Sequence, residues 1–125
     1  MARFFSPQTD PHLFRCPCNR PECDAPQPTE ELLATLDLVR SIVNRPLIVT
    51  SGTRCEPYNT SIGGELDSEH LLGQAVDIWT PTAAQTFSLV FGAERGGVTR
   101  IGAYLDRHVH LDVSRTKPQN VLWVK

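Results

Sequence analysis

The chain has 125 residues, of which 40% are apolar, 21% charged and 7% aromatic, the make-up of one soluble globular domain and not of a disordered segment. Twelve basic and 14 acidic residues leave a formal charge of −2 with no long run of either sign, which argues against a nucleic-acid footprint and a polybasic membrane patch. A chain of this size buries roughly two-thirds of its unfolded surface, so neither disulfides nor metals are obligatory for folding.

The start, Met1 to Pro7, reaches polar residues and prolines before an apolar segment develops, and stretches such as Phe87 to Phe91 are too short to span a bilayer. The expectation is a protein without a signal peptide, cytoplasmic as synthesised. Residues 1–28 hold six of the ten prolines and three of the four cysteines, and predict an extended, turn-rich arm laid across a domain formed by 29–125. Cys16, Cys18 and Cys23 crowd together while Cys55 lies far along the chain. Two disulfides allow three connectivities, the Cys-x-Cys-x4-Cys run also resembles a metal knuckle of uncommon spacing, and reduced thiols stand beside a bridge to Cys55 as open readings.

Thr29 is a capping residue followed by Glu30 and Glu31, and Leu32, Leu33, Leu36, Val39, Ile42 and Val43 recur at helical spacing, which predicts a helix over 29–44 that stops before Pro46. Residues 47–50 read as a buried strand. From 53 to 72, Gly, Asn, Pro and Ser predict a long loop with one helical turn near 58–62, and such loops in compact domains are usually functional. Residues 75–79 form a second strand, and 82–91 a second helix with Phe87, Val90 and Phe91 as its apolar face. Gly96 and Gly97 turn the chain into a strand pair, 98–104 and 108–113, joined across Asp106 and Arg107; 120–124 is a last edge strand.

The run 108–113 alternates strictly. On a strand, His108, His110 and Asp112 share one face and Val109, Leu111 and Val113 the other. Two same-face imidazoles suit a functional cleft, and equally suit a half-exposed sheet surface. Asp77 shares its strand face with Ala75 and Trp79, and His70 closes the long loop just before Gly73, whose missing side chain allows a tight turn. His70, Asp77 and His110 make a set of two imidazoles and one carboxylate, of the kind that holds catalytic zinc with one position open.

The run Ser68-x-His70-x-x-Gly73-x-Ala75-x-Asp77, followed by His108-x-His110, resembles the zinc D-alanyl-D-alanine carboxypeptidase family (subfamily A of the M15 peptidases), which shares its fold with the hedgehog signalling domain. Thr50 to Cys55 and Asn59 to Gly64 resemble, in the same order, that family's Ser-Gly-Tyr-Arg and Asn-x-x-x-Gly-Gly segments, so the likeness covers about 30–113. The resemblance implies an α+β fold, with an antiparallel sheet, helices packed on one face and a zinc cleft on the other. It implies that His70, Asp77 and His110 bind Zn²⁺, that Arg54 and Ser68 meet substrate, and that Arg54 also steadies developing negative charge.

For the general base, one branch of the family places a His where this chain has His108. Other branches place an acid where it has Arg107, which cannot serve, so His108 ranks first and Asp106 behind it. Asp112 could hold a ligand imidazole in its tautomer, or be a solvated strand acid. Thr53 replaces the family's tyrosine, which implies a wider or more polar cleft wall. The cysteine-bearing arm resembles those of phage-type members, and is expected to fasten near Cys55 without touching substrate.

The implied activity is a zinc metallopeptidase that cuts peptidoglycan peptides, as a D-Ala-D-Ala carboxypeptidase or an endopeptidase, in a monomer that needs no nucleic acid or membrane. Cell-wall access would follow lysis or come from a virion. The alternative is a non-catalytic zinc- or wall-peptide-binding structural module of a phage particle.

Overall fold

The computed structural model describes residues 13–125; the part of the predicted arm at 1–12 lies outside the described residues. Helix α1 spans Glu30–Val43, with the Thr29 hydroxyl accepting from the Leu32 amide at its start and Asn44 in the left-handed region at its end. Strand β1 is Val49–Ser51, α2 is Glu56–Ser61, a 3₁₀ turn covers Glu69–Leu72, β2 is Ala75–Trp79 and α3 is Ala83–Arg95. Strands β3, Arg100–Tyr104, β4, His108–Asp112, and β5, Val121–Val124, complete a sheet of order β1-β2-β4-β3-β5.

The β1–β2, β2–β4 and β3–β4 pairs are antiparallel, but β5 runs parallel to β3, so the sheet is mixed and not antiparallel throughout. The reason lies in the connection. Strand β4 ends beside Arg100, and residues 113–120 pass around that end of β3 before β5 begins, again beside Arg100. A loop that skips one strand at one sheet end reverses direction relative to β4, and therefore matches β3. Arg100 Nη1 to the Pro118 carbonyl (2.7 Å) and Thr99 to Gln119 (2.6 Å) hold that loop.

Alternation along β2 and β4 sends Val76, Ile78, Val109 and Leu111 into one core with Leu32, Leu33, Leu36 and Val39 of α1 and Leu89 and Ala93 of α3. The expected inner face of α3 holds for Val90, which packs on the core, and is corrected for the two phenylalanines. Phe87 and Phe91 are 65% and 50% exposed and pack against each other, tilted, at 4.5 Å, while Leu89, Gly92 and Ala93 face inward. The helix runs one turn past residue 91, and the stripe that meets α1 is set by that longer course. No helix among the described residues is long and apolar enough to cross a membrane.

Gly73 ends the 3₁₀ turn at φ 71°, and its carbonyl accepts from the Thr29 amide. A β-carbon there would strike the Gln27 carbonyl oxygen. Gly73→Ala combines left-handed strain with a backbone clash, and is expected to cost about 2–4 kcal/mol by denaturant unfolding. An unchanged midpoint would show that the arm is not seated on this turn.

Candidate metal centre

His70 is placed by the 3₁₀ turn that interrupts the long loop; Ser68 starts the turn with its hydroxyl accepting from the His70 amide at 3.2 Å. The ring is buried, and Nδ1 lies 2.6 Å from the Gly52 carbonyl oxygen. A carbonyl only accepts, so Nδ1 carries the proton and Nε2 the lone pair. Nε2 has no hydrogen-bond partner and lies 3.3 Å from Asp77 Oδ1, another acceptor.

Asp77 sits on β2 directly opposite His110 on β4. Its Oδ2 accepts from Arg54 Nη2 at 3.1 Å, which turns Oδ1 toward the imidazoles. His110 Nε2 donates to Asp112 Oδ2 at 2.8 Å, which leaves Nδ1 as the lone-pair nitrogen, 3.2 Å from Asp77 Oδ1. Asp112 is fully buried, and Arg100 Nε (2.8 Å) and the Ser114 amide (3.1 Å) hold its other oxygen. One ligand atom from each of His70, Asp77 and His110 lies within 4.8 Å of the other two.

Three lone pairs that converge in a buried place repel one another unless a cation or proton lies between them. Two imidazole nitrogens and a carboxylate oxygen are ligands that zinc accepts at about 2.0–2.2 Å, and three protein ligands leave a fourth position open. The residues fit zinc on those grounds. Arg54 and Asp112 act one step out, by fixing the carboxylate and the His110 tautomer.

Without metal, protons take this role. Burial would raise the Asp77 carboxyl, but His110 and His70 outweigh it and hold it well below the usual carboxylate range. Burial lowers His110, yet its bonds to Asp112 and Asp77 prevail and raise it. Asp112 is likewise raised by burial and lowered on balance, by His110, the Ser114 amide and Arg100. Stability from a raised histidine is complete below its unfolded pKa of about 6.5, and is lost as pH rises through the folded value. Stability from a lowered carboxylate is present above about 4, and is lost as pH falls through the folded value. The chelated protein is therefore expected to lose Tm as pH rises above about 6.5, and the metal-loaded protein to lose it as pH falls. Calorimetry across pH 5–9 checks this; parallel profiles for the two forms would contradict the pairing.

His108 stands further along β4, its ring stacked on Tyr104 at 4.2 Å and 11°. Its Nδ1 bonds Asp106 Oδ1. The turn that allows this has Arg107 in the left-handed region and its carbonyl accepting from the Thr80 amide at 2.8 Å, so the chain steps back and Asp106 folds over His108. The two residues weighed as alternative bases thus form one pair.

His70, Asp77, His110, Asp112, His108, Asp106, Arg54 and Ser68 all line one open cleft of about 660 Å³. Arg54 reaches Ser51 (3.2 Å), Asn59 (3.1 Å) and Asp77, so three of its five N–H donors are engaged and two remain. Thr53 lies elsewhere. It is buried with its hydroxyl on the Phe14 carbonyl at 2.9 Å, so it forms no cleft wall, because the arm claims it.

Trp123, Tyr104 and Arg100 are cleft residues that the sequence reading did not single out. Trp123 lies over Gly102, where a β-carbon would collide with its indole, and its ring is 5.4 Å from His110. Its Nε1 donates to Tyr104 Oη at 2.8 Å. Gly102 faces His110 across one edge of β3 and Trp123 across the other, a signal that exists only once the strand order is known.

A family model described as Peptidase M15 matches residues 9–112. The chain belongs to the peptidase M15 family. The match takes in His70, Asp77, His110, Arg54 and His108, and ends at Asp112. M15 peptidases are zinc-dependent, in keeping with the donor set found here. A search of curated proteins finds no match to the chain.

Proposed function

We propose that this M15 member is a zinc-dependent peptidase that hydrolyses an amide bond in bacterial peptidoglycan peptides, as a D-Ala-D-Ala carboxypeptidase or an endopeptidase. The observation that carries the reading is the buried, unpartnered Nε2 of His70, aimed at Asp77 Oδ1 beside the lone-pair nitrogen of His110 in an open cleft. His70, Asp77 and His110 hold the metal. When bound, zinc supplies Lewis acidity that polarises a carbonyl and makes water more acidic.

His108 takes the proton from the attacking water through Nε2 and returns it to the leaving amine, while Asp106 holds the opposite nitrogen protonated. The two uncommitted donors of Arg54 suit a substrate carboxylate or the charge that develops on the carbonyl oxygen. The other cations that line the cleft are, like Arg54 on Asp77, paired with acids: Arg100 has Asp112, Lys117 has Glu69 at 3.2 Å, and Lys125 has Glu65 at 3.7 Å. The Ser68 hydroxyl accepts from His70 and keeps its own proton to donate to a peptide carbonyl. Residues 13–28 act as a strap on the domain.

The test is incubation of the metal-loaded protein with purified peptidoglycan and defined stem peptides, with and without chelator, and with products read by mass spectrometry. Loss of one terminal D-alanine identifies the carboxypeptidase; separated cross-links or a cut stem identify the endopeptidase; chelation is expected to abolish either. No product across several wall types, from protein holding stoichiometric zinc, would overturn the enzyme and leave the non-catalytic binding module.

A further inference from the structure

We propose that Cys16, Cys18, Cys23 and Cys55 hold a second, structural zinc ion through four thiolates. All four cysteines of the chain are free thiols, and their sulfurs lie within 4.8 Å of one another although Cys55 is far from the others in sequence. The Cys16–Cys55 and Cys18–Cys55 sulfur separations are 3.7 and 3.8 Å. A tetrahedron with zinc–sulfur distances of about 2.3 Å has edges of about 3.8 Å, so these thiols already stand at the spacing of a zinc cage.

The surroundings favour thiolates. Backbone amides of Arg20, Ala25 and Tyr58 point at the sulfurs of Cys18, Cys23 and Cys55, and neutral thiols make poor use of such donors. Without a cation the charges exclude one another. A divalent ion removes that conflict: each thiol gives up its proton as its sulfur binds, and no electron is transferred. Tetrahedral all-sulfur sites select zinc among the redox-inert divalent ions.

The site also has a structural task. The Phe14 carbonyl accepts from the Thr53 amide at 2.8 Å, and a β-carbon on Gly52 would lie 2.6 Å from the Phe14 Cα, so arm and loop touch backbone to backbone. The clamped segment, 52–55, presents the Gly52 carbonyl to His70 and the Arg54 guanidinium to Asp77. A metal staple at Cys55 holds that segment against the domain.

The assignment does not rest on the peptidase reading, and its test does not use activity. The full chain, purified under reductant with zinc supplied, is expected to carry two zinc ions. Cys23→Ser is expected to lose one, and His70→Ala the other. Cobalt loading of the unsubstituted protein is expected to give an intense sulfur-to-cobalt charge-transfer band that persists in His70→Ala and is absent in Cys23→Ser. The unsubstituted protein decides the matter even if Cys23→Ser fails to fold. One metal per chain and no thiolate band, with the cysteines free or paired as disulfides by mass, would overturn the proposal.

Discussion

Replacing His108 with Ala is expected to leave the metal content unchanged while kcat/KM for peptide hydrolysis falls by about 10²–10⁴-fold. The size follows from its place. Nδ1 is committed to Asp106 and the ring is stacked on Tyr104, so Nε2 is a lone pair on a ring held from two sides. The ion pair of His108 is with Asp106, apart from those that join His70, Asp77 and His110, and its removal leaves their mutual geometry alone. Asp106→Asn is expected to lose less, since it disturbs the tautomer and keeps the base. Metal analysis and steady-state kinetics on both variants check this. Full activity in His108→Ala would remove it from the proton transfer.

Asp77→Ala is expected to lose the His70–His110 metal, to fall to background activity, and to unfold about 3 kcal/mol more easily, because a nearly buried Arg54 loses its carboxylate partner. His70→Ala separates these effects. It removes one of the three proposed metal ligands and keeps the Arg54–Asp77 pair, so activity is expected to vanish with a smaller loss of stability in the chelated protein. Equal unfolding free energies for the two chelated variants would show that the ion pair contributes nothing to the fold.

Local features of the fold are legible in the sequence, and the reason is periodicity. The alternation of 108–113 requires only that a strand sends successive side chains to opposite faces, and it places His108, His110 and Asp112 together whatever the neighbours are. The same parity puts Asp77 on the cleft side of β2 and Val76 and Ile78 in the core. Thr29, Glu30 and Glu31 mark the start of α1 because a capping hydroxyl acts within three residues. The inner face of α3 is not legible, because Phe87 and Phe91 form an apolar pair of their own on the outside. Nor is the direction of β5, because nothing in residues 113–120 states which strand they pass.

By itself, then, the sequence determined the strand parities, the ends of α1 and, through motif order, the trio His70, Asp77 and His110. Each depends on residues within a few positions of one another or on a linear pattern. Tertiary structure alone decided the tautomers, since the carbonyl of Gly52 and the carboxylate of Asp112 select which nitrogen of His70 and of His110 faces Asp77. It also decided that Asp106 and His108 are one pair, that Arg54 is anchored on Asp77, that Trp123 closes the cleft over Gly102, and that Cys55 joins the three cysteines of the arm. These are contacts between side chains brought together by strand order and loop path, and a hydrogen bond or a ligand set exists only where such paths bring its atoms within reach.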